Sequence, residues 1–135
     1  FIKENSLEKT CITYGRYPLT TMPLFFKEAD VMLVTLKDEL IFNLTVPAKI
    51  QAYMASGKPI LTMLNGEGSS LIKESGCGLT AKAGDYRRLA YNIESLLRKD
   101  EVELESFGSK GATFFENNFS KEKCINNLID LLQHA

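Results

Sequence analysis

The chain has 135 residues, of which 44% are hydrophobic and 24% charged, and its formal net charge is −1. This length suits one globular domain, so we expect a single domain over residues 1–135. The near-zero charge argues against a protein that binds the phosphate backbone of nucleic acids. No apolar run approaches the roughly 20 residues that span a bilayer, which argues against an integral membrane protein.

The cysteine and histidine content limits the kinds of functional site that the chain can contain. Cys11, Cys77 and Cys124 lie far apart in the sequence, and an odd number without close spacing predicts neither a disulfide framework nor a zinc site. Free thiols fit a reducing compartment, so we expect a cytoplasmic protein. The single histidine, His134, lies beside the C-terminus, where we interpret it as a solvated residue. This argues against a histidine-dependent catalytic triad.

Short apolar runs alternate with segments of helical period along the chain. The apolar runs predict four strands, at Thr10–Tyr14, Asp30–Leu36, Pro59–Leu64 and Cys77–Ala81. The helical period predicts helices at Met22–Ala29, Val46–Ser56, Gly68–Ser75 and Asp85–Lys99, followed by C-terminal helices within residues 101–135. This alternation of strands and helices is typical of an α/β protein.

Further features refine the predicted helices from residue 85 onward. The helix at Asp85–Lys99 is predicted to have one apolar face, formed by Leu89, Ile93, Leu96 and Leu97. After residue 101, we expect the next helix to be broken or weakened near Gly108 and Gly111. Ser120 is then predicted to cap a last helix, "KEKCINNLIDLLQ", with an apolar stripe of Cys124, Leu128, Leu131 and Leu132.

The strands lack strict alternation, which is typical of strands buried on both faces of a parallel sheet. We therefore predict an open, doubly wound parallel sheet of about four strands with flanking helices. Ligands of such folds bind at the carboxyl ends of the strands. The loops expected to carry function are residues 16–20, 37–46, 65–68 and 81–85.

The sequence "LTVPAKIQAYMASGKPIL" (Leu44–Leu61) contains the first candidate site. Pro47 suits the first position of a helix, and the free N–H groups of the first turn carry a partial positive charge that suits a phosphate or diphosphate. Lys49 adds a full charge in the same turn, where it opposes the helix dipole unless an anion lies nearby. The alternative interpretation is a solvated lysine on a helix surface.

Three other features lie at predicted strand ends. The glycines of "NGEGSS" (Asn65–Ser70) permit close backbone approach to a ligand, although a serine of this stretch could instead cap the helix. Asp38 and Glu39 could bind hydroxyls or act as acid and base, or they could be solvated loop acids. Arg16 could contact a base or a phosphate, or nothing.

The segment Gly15–Asp85 resembles the donor-binding C-terminal domain of a bacterial group 1 glycosyltransferase, in the branch that builds O-antigen and capsule polysaccharides. The matching pieces are, in order, "GRYP", "MPLFFKEADVMLV", "PAKIQAYMASGKPIL", "GEG" followed by "GCGL", and "AGD" before a helix. The later "FFENNFSKEK" is similar to the closing segment of that family, in which a terminal helix packs back. The resemblance covers essentially the whole chain.

This resemblance implies a GT-B architecture, in which two Rossmann-like domains face each other across a cleft. The C-terminal domain of such enzymes holds a nucleotide-sugar, usually a UDP-sugar, and the N-terminal domain holds the acceptor. The implied activity is the retaining transfer of a sugar to a lipid-linked or polysaccharide acceptor in lipopolysaccharide-type synthesis. The donor is a substrate and no cofactor is expected. The full-length enzyme is expected in the cytoplasm, at the inner face of the membrane.

The resemblance also implies site residues. The diphosphate would lie on the helix that begins near Pro47, where Lys49 would stabilise the leaving group as a catalytic residue. Arg16 would lie near the base, and Glu67 and Gly68 would line the sugar and phosphate side. The full set expected at the donor is Arg16, Thr45, Val46, Pro47, Lys49, Gln51, Glu67 and Gly68.

The chain departs from the family pattern at two positions. Typical members carry two glutamates eight positions apart, where this chain has Leu44 and Ala52. We expect sugar contacts to pass to Glu39, which becomes the second predicted catalytic residue. Ribose contacts would pass to Gln51 or Glu67.

The chain also lacks the β-α-β unit that precedes the strand matching Thr10–Tyr14 in the family, and it lacks an acceptor domain. We therefore expect a fragment of a larger glycosyltransferase, with an incomplete GT-B C-terminal domain that is inactive by itself. The missing strands would leave an apolar sheet edge open, which favours a homo-oligomer. Two alternatives stay open, a non-catalytic phosphate-binding, nucleotide-binding or interaction module on the same fold, and a degenerate paralogue that has lost the donor.

Overall fold

The computed structural model describes residues 1–134. Within this range three strands alternate with helices, and a short 3-10 turn at Leu19–Thr21 precedes the first helix. The strands are β1 (Met32–Thr35), β2 (Ile60–Met63) and β3 (Gly78–Ala81). The helices are α1 (Met22–Glu28), α2 (Leu40–Asn43), α3 (Ala48–Ala55), α4 (Gly66–Ser75), α5 (Tyr86–Leu97), α6 (Glu101–Phe119) and α7 (Lys121–Gln133).

The strands form one parallel sheet in the order β1-β2-β3. Met32 pairs with Ile60, and Ile60 pairs with Gly78, so the carboxyl ends of all three strands meet at one edge. Helices α3 and α4 connect successive strands and both pack against α6, whereas α5 contacts β2 and β3 from the other face. The prediction of a doubly wound α/β fold is confirmed, with three strands instead of about four.

The hydrophobic core lies between the sheet and the layer formed by α3, α4 and α6. Its fully buried members come from β1, β2, α3, α4 and the residues beside them, namely Val34, Ile50, Met54, Ile60, Leu64, Ile72 and Cys77. Three phenylalanines of α6 pack against this cluster. On the other face, Leu33 of β1 is 52% exposed. Within residues 1–134, the outer edge of β1 pairs with no strand.

The predicted strand Thr10–Tyr14 is wrong, because this segment has no regular secondary structure. The N–H groups of Thr10 and Cys11 both donate to the Leu7 carbonyl, which closes a turn instead of a ladder. Ile12 is 62% exposed. The β-branched residues that suggested a strand favour a half-buried pleated surface, and here no neighbouring strand supplies one.

The predicted break near Gly108 and Gly111 is also wrong, because α6 is one continuous helix. Both glycines are buried, and a Cβ on Gly108 would clash with the Gly57 carbonyl. A Cβ on Gly111 would lie 3.1 Å from the Cys77 Cβ. The glycines therefore let α6 approach the core closely, and this packing offsets their poor helix propensity.

The buried face of α5 is rotated from the predicted one. Leu96 is buried, but Ile93 is 41% and Leu97 80% exposed. Asn92 is buried instead, and its side-chain amide donates to the Thr80 carbonyl at 3.0 Å. A satisfied polar side chain thus occupies a position that an apolar pattern alone does not reveal.

Helix α7 has the predicted bounds, but its predicted apolar stripe is not buried. The helix packs on α6, and Leu132 is 72% exposed. Ser120 occupies the N-cap position, yet its hydroxyl donates to the Glu116 carbonyl at 2.8 Å instead of capping the helix. The preceding helix therefore competes successfully for this hydroxyl.

Candidate functional site at the carboxyl ends of the strands

Helices α3 and α4 begin next to each other at the carboxyl edge of the sheet. Pro47 is predicted at the first helical position of α3. In the structure it is the N-cap, and Ala48 takes the first helical position. Gly68 lies in the first turn of α4, and a Cβ there would lie 3.2 Å from the Pro47 Cδ. The two positive helix ends therefore converge on one region.

Neither of these two helix starts is capped by a side chain. Pro47 has no acceptor to offer, and the Asn65 side chain makes no capping bond to α4. By contrast, Asp85 caps α5 through the Arg88 N–H at 2.9 Å, and Asp100 caps α6 in a capping box. The first-turn N–H groups of α3 and α4 are thus left for another acceptor, such as water or an anion.

The predicted donor residues around α3 are close together in the chain and in space. Lys49 lies in the first turn with an exposed side chain, and Gln51 is half-buried. Val46 is half-buried, and the Thr45 hydroxyl donates to the Ile41 carbonyl at 2.7 Å. The structure therefore leaves Lys49 free to reach an anion at the helix end.

The residues expected to line the other side of the donor differ in accessibility. Gly68 is buried against Pro47, whereas Glu67 is exposed in the first turn of α4. Glu39 is exposed and forms the N-cap of α2. Its backbone carbonyl accepts the Phe42 N–H at 3.0 Å. Its side chain makes no capping bond to α2 and is exposed.

Arg16 is exposed on the irregular segment before α1. The neighbouring Tyr17 packs edge-on against Phe25, with ring centroids 4.9 Å apart. Within residues 1–134, no ion pair holds the Arg16 guanidinium. The structure thus brings the predicted residues of α3 and α4 together, and Arg16 stays a prediction on a separate segment of the chain.

A polar network joins the loops at this edge. The Asn43 amide donates to the Asp38 carboxylate at 2.8 Å. The Asn65 Oδ1 accepts the Ala83 N–H at 3.1 Å, so Asn65 also links the end of β2 to the residues after β3. Hydrogen bonds from Asn43 and, second, from Asn65 hold the pKa of Asp38 below its ordinary value.

The sequence pattern did not reveal the roles of Asn43 and Asn65. It pairs Asp38 only with Glu39 and assigns neither asparagine a function. The available signal is the position of Asn65 directly after a buried strand, since polar residues at such positions face one shared edge.

A pocket of about 420 Å³ opens beside this network. It is lined by residues from the ends of all three strands, among them Thr35, Asp38, Met63 and Ala83. Carboxylate, hydroxyl and apolar groups therefore meet in one concave region. Such a mixture suits a ligand with both polar and apolar faces.

Two further observations concern metals and membranes. Across residues 1–134, no cluster of three histidine, cysteine or acidic side chains is arranged to hold a metal ion. None of the helices in the same range combines the length and apolar character needed to cross a membrane.

Comparison with known proteins shows the family of this chain. A family profile described as "Glycosyl transferases group 1" matches residues 2–99. The chain is also similar to a protein named "Probable glycosyltransferase WbjE" from Pseudomonas aeruginosa, at 34% identity over 125 residues. That match covers 89% of this chain and 30% of the relative's length. The resemblance found in the sequence is confirmed, and the chain belongs to the group 1 glycosyltransferase family.

Proposed function

We propose that this chain is the donor-binding domain of a glycosyltransferase and that it binds a nucleotide diphosphate sugar, a UDP-sugar, at the starts of α3 and α4. In the whole protein, the sugar would pass with retention to a lipid-linked or polysaccharide acceptor held by an N-terminal domain. The product would belong to a cell-surface polysaccharide of the lipopolysaccharide type. The domain takes the donor as substrate and uses no cofactor.

The observation that carries this proposal is the pair of uncapped helix starts. Two sets of N–H groups converge where Pro47 meets Gly68, at the edge where doubly wound folds bind ligands. A diphosphate carries enough oxygen acceptors to satisfy several of these donors at once. Lys49 adds a mobile positive charge beside them.

The same arrangement suits the chemistry of sugar transfer. When the bond between the sugar and the diphosphate breaks, negative charge grows on the leaving diphosphate. Fixed N–H dipoles and the Lys49 ammonium stabilise that charge more in the transition state than in the ground state. Lys49 thereby becomes a catalytic residue.

The remaining predicted residues take roles around the donor. Leu44 and Ala52 occupy the positions of the two glutamates of typical members. Glu39 would contact the sugar hydroxyls in their place, and Gln51 or Glu67 would contact the ribose. Arg16 would contact the base.

The whole protein would work in the cytoplasm, at the inner face of the membrane where a lipid-linked acceptor is presented. The exposed edge of β1 favours association with another copy or with further strands of the full enzyme. By itself, the chain is expected to bind the donor without turnover, because the acceptor would be held by another domain.

The experiment is a titration of the purified chain with UDP, UDP-sugars, GDP and TDP while thermal unfolding is followed. A ligand at about 100 times its Kd should add about 2.7 kcal/mol to the free energy of unfolding. In the variant Lys49→Ala, we expect the Kd for UDP to rise roughly tenfold, because one charge-assisted hydrogen bond is lost. The unliganded melting temperature should change little, since Lys49 is exposed.

The matched control is Lys73→Ala, which removes an exposed lysine from the last turn of α4. It should bind UDP as the wild type does. If no nucleotide raises the melting temperature of the wild type, donor binding by this chain is refuted. If UDP binds equally well to Lys49→Ala, the lysine has no role at the diphosphate.

A second candidate function is a non-catalytic nucleotide-binding or interaction module on the same fold. Leu44 and Ala52 favour it, because neither can bind a sugar or ribose hydroxyl. It would bind UDP and UDP-sugars with equal affinity, whereas a donor site should distinguish them through the sugar. The same titration therefore separates the two functions.

A further inference from the structure

Asp38, Asn43 and Asn65 form one connected group, which we call the polar clamp. Asp38 follows β1, Asn43 ends α2, and Asn65 follows β2. The Asn43 amide donates to Asp38 at 2.8 Å, the Asn43 carbonyl lies against Gly66, and Asn65 Oδ1 accepts the Ala83 N–H at 3.1 Å. The clamp therefore joins the segments that follow all three strands.

The Asn65 side chain serves this clamp instead of its own helix. Asparagine is among the best N-cap residues, and Asn65 occupies the N-cap of α4. Its side-chain oxygen nevertheless takes the Ala83 N–H, across the edge of the sheet. The first-turn N–H groups of α4 consequently stay uncapped, while the loops around them are tied together.

Asn43 is held tightly against the start of α4. A Cβ on Gly66 would clash with the Asn43 carbonyl, so only glycine allows this approach. Gly66 also has a φ of 69°, which glycine adopts readily. The Asn43 Oδ1 is buried with no partner among residues 1–134, so desolvating that oxygen opposes this placement. The hydrogen bond from the Asn43 amide to Asp38 and the packing of the Asn43 backbone on Gly66 therefore fix the Asn43 side chain, which would otherwise turn to solvent.

The clamp acts on the segment that leads into α3. Residues 38–46 run from Asp38 through α2 to Val46, directly before Pro47. Thr45 is bound back to Ile41, so the end of this segment follows the position of α2. Fixing Asn43 beside Gly66 therefore sets where α3 begins relative to α4.

We propose that Asp38, Asn43 and Asn65 are positioning residues that hold the start of α3 and Glu39 in register with the start of α4 for the nucleotide-sugar. None of the three needs to contact the donor for this role. The site that they position is the one in the proposed function, on which this inference rests.

The first readout is local hydrogen exchange in the unliganded chain. The Phe42 and Leu44 N–H groups are bonded within the segment, to Glu39 and Leu40. In the variant Asn65→Ala, we expect both amides to exchange faster, while amides of α6 keep their rates. The matched control is Asn118→Ala, which removes an exposed amide bonded only to the Phe114 carbonyl of its own helix.

The second readout is UDP affinity in a swapped pair. Asn65→Asp alone replaces an amide that helps to lower the pKa of Asp38 with a second carboxylate. We expect the Kd for UDP to rise about fivefold, the size expected from one lost hydrogen bond. The double variant Asp38→Asn with Asn65→Asp exchanges the two groups. In that protein, the carboxylate at position 65 can accept from the Ala83 N–H and from the amide at position 38. The carbonyl of that amide can in turn accept from Asn43.

We expect the swapped pair to restore both the exchange rates and the UDP affinity. Unchanged exchange at Phe42 and Leu44 in Asn65→Ala would refute the clamp and leave the proposed function intact. Faster exchange with unchanged UDP affinity would show that the clamp orders the segment without positioning the site, which also overturns the inference. Failure of the wild type to bind any nucleotide would refute the proposed function, and the donor role of the clamp with it.

Discussion

Asp38 and Glu39 show how two adjacent acidic residues take different roles. Their position at a strand end suggests an acid and base pair. In the structure, Asp38 is engaged by Asn43 and by Asn65, whereas the Glu39 carboxylate faces solvent. In the proposed site, the unengaged Glu39 carboxylate would contact the sugar, and Asp38 would act through the loops that it joins.

The lowered pKa of Asp38 predicts that the stability of the chain depends on pH. Hydrogen bonds favour the carboxylate in the folded chain, so the folded pKa lies below the ordinary value of 3.8. The resulting stability is present above the unfolded pKa and is lost as the pH falls through the folded pKa. We expect the melting temperature of the wild type to exceed that of Asp38→Asn at about pH 7, and this gap to shrink at about pH 3.

The gap should be small, because the carboxylate is accessible to solvent. Other carboxylates titrate in both proteins, so the difference between the two melting curves isolates Asp38. A gap that stays constant over the whole pH range would show that the clamp does not favour the charged form.

At the scale of elements, periodicity identifies most helices and strands and misjudges those that depend on packing. Helices α1 and α7 and strands β1 to β3 lie within one or two residues of their predicted bounds. Helix α6 is predicted to break at Gly108 and Gly111, because propensity alone disfavours glycine. The close approach of Gly108 to the Gly57 carbonyl explains why these glycines suit a continuous helix.

Gly108→Ala tests this explanation. In an exposed helix, such a change usually stabilises by about 0.5–1 kcal/mol. Here the new Cβ would meet the Gly57 carbonyl, and we expect a net loss of about 1–3 kcal/mol in chemical denaturation, as for an overpacked core. The control Ser109→Ala changes the next, exposed residue and should leave stability unchanged or slightly raised. A stabilising effect of Gly108→Ala would show that α6 does not need the close contact.

The placement of two residues at the start of α3 could be predicted from the sequence. Pro47 and Lys49 could be placed at a helix start, because a proline and a cation in that turn are informative together. The partnership of Asp38, Asn43 and Asn65 could not be predicted, since it depends on how three loops meet after the sheet forms. The burial of a polar side chain in α5 likewise depends on a carbonyl of a neighbouring strand.

At the scale of the whole molecule, the chain corresponds to one part of a longer relative. It spans 30% of the length of the protein that it matches. Its sheet has an unpaired edge at β1 within the described residues, and the apolar stripe of α7 is exposed. The acceptor and the full reaction are proposed for the whole protein, whereas the proposed donor site can be tested on this chain alone.

The central claim is that a nucleotide diphosphate binds at the starts of α3 and α4. The most direct measurement is the change in backbone amide chemical shifts when UDP is added to the chain. The largest changes are expected at Ala48 and Lys49 in α3 and at Glu67 and Gly68 in α4. Little change is expected at Arg88, whose N–H is already capped within α5. Chemical-shift changes confined to other parts of the chain, or no change even at millimolar UDP, would contradict the claim.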